Sequence, residues 1–222
     1  MENFKEKECE RQQSLIENSK LFDETPGGGI IRGAHPYVLK EGLYNLYAPI
    51  REDALQYFRE NNIAWWRGAE LTGHVLSSQI ACINHLFLLR NDADAVLAML
   101  NNIRNEFVEV LPIPSDANPS FIAFEVVSDS DHLNEGYTTR GSNCTSIDAM
   151  IYARYKSGEM WIIPIEWKYT ERYENKDYSN EDREGEEKGG NGRGKKRMSR
   201  YNDLISASGQ LKSQLCRKHI LF

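Results

Sequence analysis

The sequence predicts an α/β domain in which helices flank a mixed central β-sheet, and three observations predict it. The chain has 222 residues, enough for one compact domain with a proper core. Between residues 52 and 107 apolar side chains recur with helical period. From Val108 onward the period changes, and runs of strand length rich in β-branched and aromatic residues take over. The order helix, helix, strands, helix suits a sheet with helices packed against it.

Residues 1–22 have a helical but mostly polar pattern, and Thr25-Pro26-Gly27-Gly28-Gly29 then breaks any helix. No Gly-Lys-Ser/Thr follows the glycines, so they are read as a joint rather than a phosphate loop. This divides the chain into a polar helix and Gly-rich joint at 1–29 and a single domain at 30–222. Residues 52–62 read as a helix through Ala54, Leu55 and Phe58, stopped by Asn61-Asn62. Ile63–Trp66 reads as a short strand or buried turn. A helix over 76–89 carries Ile80, Ile83, Leu86 and Phe87 on one stripe, and a second follows over about 92–107 with Asp92 at its start. Strands are expected at 108–113, 121–127, 146–155 and 160–169, and a last helix at 201–216. The stretch at about 171–200 is dense in charge and reads as a mobile loop with a basic end, Lys195-Lys196-Arg197 and Arg200.

Composition narrows the function classes. The net charge is −6, so nucleic acid could be met only through a local basic patch or through bound metal. Four cysteines, Cys9, Cys82, Cys144 and Cys216, lie too far apart in sequence for a zinc knuckle or a disulfide framework. The N-terminus is polar, and no run approaches the ~20 apolar residues of a membrane helix. A soluble, cytoplasmic protein is expected.

The chemistry concentrates in the strands at 146–155 and 160–169. Ile147, Ala149, Ile151 and Ala153 alternate with Asp148, Met150, Tyr152 and Arg154. Trp161, Ile163, Ile165 and Trp167 alternate with Ile162, Pro164, Glu166 and Lys168. A three-residue turn, Lys156-Ser157-Gly158, with Gly158 left-handed, places Asp148 across from Glu166. Such partners stand roughly 4.5–5.5 Å apart at Cβ, and Lys168 lies two residues along the same face. A two-residue turn would instead put Asp148 opposite Trp167. Pro164 marks an edge, a bulge or a local break. Two close carboxylates are best satisfied by a divalent cation between them. Mg²⁺ takes one or two carboxylates, keeps waters and accepts substrate phosphate, and the Trp167 carbonyl would add a protein oxygen. Lys168 would orient the attacking water or stabilise the transition state.

Ser146-Ile147-Asp148-Ala149-Met150 followed by Ile165-Glu166-Trp167-Lys168 resembles the PD-(D/E)XK superfamily of restriction-endonuclease-like enzymes. The prolyl of that signature is replaced by Ile147. The stretches IAWWRG, HVLSSQIACINHLF, RGSNCTSIDAMI and IEWKYTE also look like an uncharacterised bacterial branch of nuclease-like proteins. The resemblance implies an αβββαβ core and a DNA endonuclease using Mg²⁺, or Mn²⁺ in its place, with Asp148, Glu166 and Trp167 at the metal. RNA remains open as substrate, as does a homodimer. Many members carry a further Glu or Gln on the first core helix. Gln79 fits that role best, then Glu70, and Glu125 is a third acid on the preceding strand. The chain ends on His219-Ile220-Leu221-Phe222, as a longer family pattern cut short would.

The competing readings are an inactive nucleic-acid-binding module of the same fold, and an exposed hairpin whose Glu166 and Lys168 form an ordinary surface ion pair. The nearly continuous apolar run around Glu166 favours a buried strand, in which such charges need a reason. His74 and His85 read as cap or core residues. Trp65-Trp66 read as core rather than as a base-stacking pair. Arg140 and Asn143, just before the Asp148 strand, could touch the substrate backbone but read rather as ordinary loop residues.

Overall fold

The computed structural model describes residues 3–22, 25–66, 68, 70–136, 139–141, 144–171 and 192–209. They belong to two compact units, one drawn from residues 1–127 and 139–171, the other from 128–138 and 172–222. The first unit holds α1 (Phe4–Asn18), β1 (Gly27–Ile30), β2 (Ala34–Leu39), α2 (Arg51–Glu60), α3 (Ser78–Leu86), α4 (Ala93–Ile103), β3 (Phe107–Leu111), β4 (Ala123–Val126), β5 (Ile147–Tyr155) and β6 (Met160–Ile165). The second holds α5 (Arg193–Ala207).

The helices begin where the sequence offers caps. Asn3 and Glu6 form a reciprocal capping box at α1. Ser77 caps α3 through the Ile80 amide, and Asp92 caps α4 through that of Ala95. Thus α3 starts at Ser78, two residues later than its apolar pattern suggests, because Ser77 takes the cap and Val75 and Leu76 are spent on a separate small cluster with Leu39. The stripe Ile80, Ile83, Leu86 and Phe87 is buried as read, against Tyr57 and Phe58 of α2, Val96 and Leu100 of α4, and Phe124, Ala149, Ile151 and Ala153 of the sheet.

β5 is the spine of the sheet. β6 pairs along one edge, from Ala149↔Ile165 to Arg154↔Met160, while β4 and β3 follow one another along the other edge at residues 147–150 and 152–155. Every pairing among the described residues is antiparallel. The mixed sheet expected from the sequence is therefore not what these strands form. A parallel neighbour needs a long crossover, normally a helix, and among the described residues no helix lies between β3 and β6.

Three further expectations are corrected. The glycine run is a strand, not a joint. A Cβ on Gly27 would stand 2.1 Å from the Pro36 carbonyl oxygen, and one on Gly29 would stand 2.3 Å from that of Leu39, so glycine lets β1 and β2 approach. Gly29→Ala is expected to destabilise the protein by about 1–3 kcal/mol, read as a lower Tm. Gly209→Ala, where an added Cβ meets nothing within 4 Å, should leave Tm unchanged. Among the described residues β6 is an edge strand, paired with β5 alone, rather than a buried one, with Ile162 61% exposed, and it ends at Ile165. Pro164 is accommodated at that edge without a bulge. Finally, the basic residues 193–200 are not loop but the first half of α5, which Gly192 opens in the left-handed region. Within that unit Tyr201 donates to Glu135 at 2.6 Å and Arg200 to the Glu135 carbonyl. Lys195 and Lys196 are exposed. Residues 172–191, the rest of the expected charged loop, and 210–216, the end of the expected last helix, lie outside the described residues.

Candidate active site

The turn between β5 and β6 sets the geometry of the site. Gly158, with φ +93°, returns its amide to the Tyr155 carbonyl at 2.8 Å, and the Tyr155 amide donates to Glu159 at 2.8 Å. This is the three-residue turn expected from Lys156-Ser157-Gly158, and it fixes the register that ends at Ala149↔Ile165, one step before Asp148 and Glu166. The backbone ladder stops one step short of that pair. There the Asp148 side chain takes over, accepting the Trp167 amide at 2.6 Å. The odd-numbered face packs on the core, including the half-buried Trp167 ring, 5.0 Å from the ring of His85. Glu166 and Lys168 lie exposed on the even face and form an ion pair with each other.

A third carboxylate comes from the other side of β5. The pairs Phe124↔Ala149 and Val126↔Ile147 bracket Glu125, at the step facing Asp148. Glu125 is 6% exposed and has φ +49°, a left-handed conformation rare for a non-glycine residue inside a strand. Its carboxylate accepts from Gln79 Nε2 at 2.7 Å and from Ser146 Oγ at 2.5 Å. Gln79 Oε1 in turn accepts the Trp66 amide at 2.9 Å. Behind the strand, Arg140 donates to the carbonyls of Glu125 at 3.2 Å and Phe124 at 2.5 Å and pairs with Asp116 at 2.9 Å. Tyr57 donates to Asp116 at 2.5 Å and accepts the Phe124 amide at 3.0 Å. This clamp holds the strained turn of the chain at Glu125.

Burial pushes the Asp148 carboxyl up from its ordinary 3.8 to about 6, the charges of Glu166 and Glu125 add to the rise, and the Trp167 amide and Lys168 oppose it. Asp148 thus feels both acids and the lysine at once. Gln79, Glu125, Ser146 and Asp148 line a pocket of about 540 Å³, together with Trp65, Trp66, Ser78 and Cys144.

The structure therefore brings Gln79, Glu125 and Asp148 to one pocket, and places Glu166 and Lys168 just past the end of β6, within electrostatic reach of Asp148. Glu70 is exposed and does not line that pocket. Arg140 is a clamp, as a loop residue holding structure rather than substrate, and Asn143 lies outside the described residues. His74 Nδ1 accepts the Leu76 amide and His85 Nδ1 meets the Ala81 carbonyl, both local backbone roles. Trp65 is core, stacked on Phe58 at 3.7 Å, whereas Trp66 is 57% exposed, against the expectation that both are core. Ser146 and the Tyr57–Asp116–Arg140 clamp were not singled out by sequence, because partners 59 and 24 positions apart leave no local pattern.

Among the described residues no helix is long and apolar enough to cross a membrane. Neither a search of curated proteins nor one of solved structures finds a match. One family model matches residues 13–221, nearly the whole chain, and its description is a restriction endonuclease associating with ARP. That description agrees with the resemblance carried by Asp148, Glu166 and Lys168, and the chain belongs to this restriction-endonuclease family, REase-ARP.

Proposed function

We propose that the protein is a Mg²⁺-dependent nuclease that hydrolyses phosphodiester bonds in DNA, on a restriction-endonuclease-like αβββαβ core. The observation that supports this reading is the hairpin register, whose last pair, Ala149↔Ile165, lies one step before Asp148 and Glu166, with Lys168 two residues further along. Family membership supports a nuclease and DNA as its substrate.

The donor set fits a hard divalent cation. Among the described residues no three Asp, Glu, His or Cys side chains form a metal cage by themselves. Mg²⁺ does not need one, since it binds through one or two carboxylates and keeps the rest of its shell for water and phosphate. Burial gives the largest upward push on the Asp148 carboxyl and the charges of Glu166 and Glu125 add to it, and a bound cation would oppose both by favouring the carboxylate. Asp148 and Glu166 would hold the ion, with the Trp167 carbonyl as a third oxygen. The ion supplies acidification of water and neutralisation of charge at the phosphate. Lys168 orients the attacking water and steadies the developing negative charge. One P–O ester bond would break as water adds to phosphorus, the attacking water giving up a proton to solvent and the departing oxygen taking one from it.

The test is nicking of supercoiled plasmid. The wild type should nick in Mg²⁺, and in Mn²⁺, but not in EDTA, and Lys168→Ala should slow the reaction about 10²–10³-fold. Cleavage that persists in EDTA, or a Lys168→Ala variant as fast as wild type, would overturn the assignment.

A further inference from the structure

The pocket beside Asp148 is walled by acidic and aromatic side chains: its described lining includes two carboxylates, Glu125 and Asp148, beside Trp65 and Trp66. Its large exposed side chain is an indole: Trp66 lines the pocket and keeps 57% of its surface exposed. Stacking of a base on an aromatic ring is insensitive to base identity and needs no positive charge.

Trp66 is also held in place as a platform would be. Its amide is bonded at 2.9 Å to Gln79 Oε1, and the other end of the same Gln79 amide holds Glu125 at 2.7 Å. Its neighbour Trp65 is anchored by stacking on Phe58 at 3.7 Å, and the Trp65 and Gly68 backbones bond to each other in both directions, at 3.1 and 2.8 Å. One glutamine thus couples the aromatic wall to the acid facing Asp148.

We propose that this pocket takes an unstacked nucleobase on Trp66, so that the substrate is DNA with an unpaired or extruded nucleotide at the reacting position rather than an intact duplex. The face of a base inside a continuous stack is covered by its neighbours, so the indole can stack only on a base that has left the helix. This inference rests on the nuclease reading above and deepens it by naming the substrate class.

The experiment measures binding and cleavage separately. Fluorescence anisotropy in EDTA, where no cleavage is expected, follows a labelled oligodeoxynucleotide, single-stranded or annealed to its full complement, with the full chain. The wild type should bind the single strand more tightly than the duplex. Trp66→Ala should weaken single-strand binding about 5–150-fold, Trp66→Phe should keep most of it, and duplex binding should change in neither. Equal binding of the single strand by wild type and Trp66→Ala would overturn the proposal, as would an equal loss on both probes. Plasmid nicking in Mg²⁺ by the same proteins keeps the two claims apart. Unimpaired single-strand binding by a Trp66→Ala protein that still nicks plasmid sinks the stacking site alone. Selective loss of single-strand binding, in a protein whose wild type never nicks, sinks the nuclease reading and leaves the stacking site standing.

Discussion

Asp148→Ala is expected to lower DNA cleavage about 10³-fold or more, with the protein still folded. The size follows from position. Asp148 lies beside Glu125 of β4 and next to the segment that follows β6, and its own carboxylate fixes the Trp167 amide at 2.6 Å, so its loss would remove the proposed metal ligand and loosen the segment that carries Glu166 and Lys168. Asp148→Asn separates the two effects, because its amide oxygen still accepts the Trp167 amide while its charge is gone. It should be nearly as inactive as alanine. It should also be more stable than wild type at neutral pH in the absence of divalent cations. The folded Asp148 carboxyl titrates near 6 against an ordinary 3.8, so the folded chain binds its proton more tightly than the unfolded one. The stability tied to that proton is fully present below about 3.8 and is lost as pH rises through 6. Solvent around the half-exposed group keeps the difference near about 1 kcal/mol, or roughly 2–4 °C in Tm. The gap between Asp148→Asn and wild type should therefore be visible at pH 7.5 and close toward pH 4. A catalytic variant that gains stability marks a carboxylate kept for chemistry rather than for folding.

The second large effect is expected at a residue that touches no substrate. Asp116 has a fully buried side chain, bonded to Arg140 at 2.9 Å and to Tyr57 at 2.5 Å. Removing one partner of a buried pair leaves the other charge uncompensated, so Asp116→Ala should cost about 3–5 kcal/mol and lower Tm by roughly 6–20 °C. The loss extends to the site. Arg140 grips the carbonyls of Phe124 and Glu125, and the left-handed Glu125 backbone, at φ +49°, persists only while its surroundings enforce it. Tyr57→Phe is the milder comparison. It removes one hydroxyl that accepts the Phe124 amide, at a cost of about 1–3 kcal/mol for the orphaned donor. Thermal unfolding followed by circular dichroism ranks the three proteins, and an Asp116→Ala variant as stable as wild type would remove the clamp from the account.

Much of this architecture was legible in the residues. The stripe Ile80, Ile83, Leu86 and Phe87 and the alternation along 147–153 each name their buried face, because periodicity is a local property. Gly158 at the turn pointed to the hairpin register that the strands adopt from Ala149↔Ile165 to Arg154↔Met160. What the sequence hid was long-range or conditional. The glycines at 27–29 look like a hinge until Pro36 and Leu39 are seen to press against them. The apolar run Trp161–Ile165 reads as a buried strand, yet β6 lies at the sheet edge, because hydrophobicity does not reveal which strand is last. Charge density suggested a loop over residues 193–200, where a left-handed Gly192 instead opens a helix. Glu125 was readable as an acid near the hairpin, but its partners Gln79 and Ser146 lie 46 and 21 positions away, and only the fold brings them together.

The central claim is that Asp148 and Glu166 act together on one divalent ion. The most direct measurement is retention of Mn²⁺ by the full chain, read from the electron paramagnetic resonance of the ion left in solution, for wild type, Asp148→Asn and Glu166→Gln. The account predicts that wild type withdraws Mn²⁺ and that each variant holds it at least about tenfold more weakly. No retention by wild type, or the same retention by all three proteins, would contradict it.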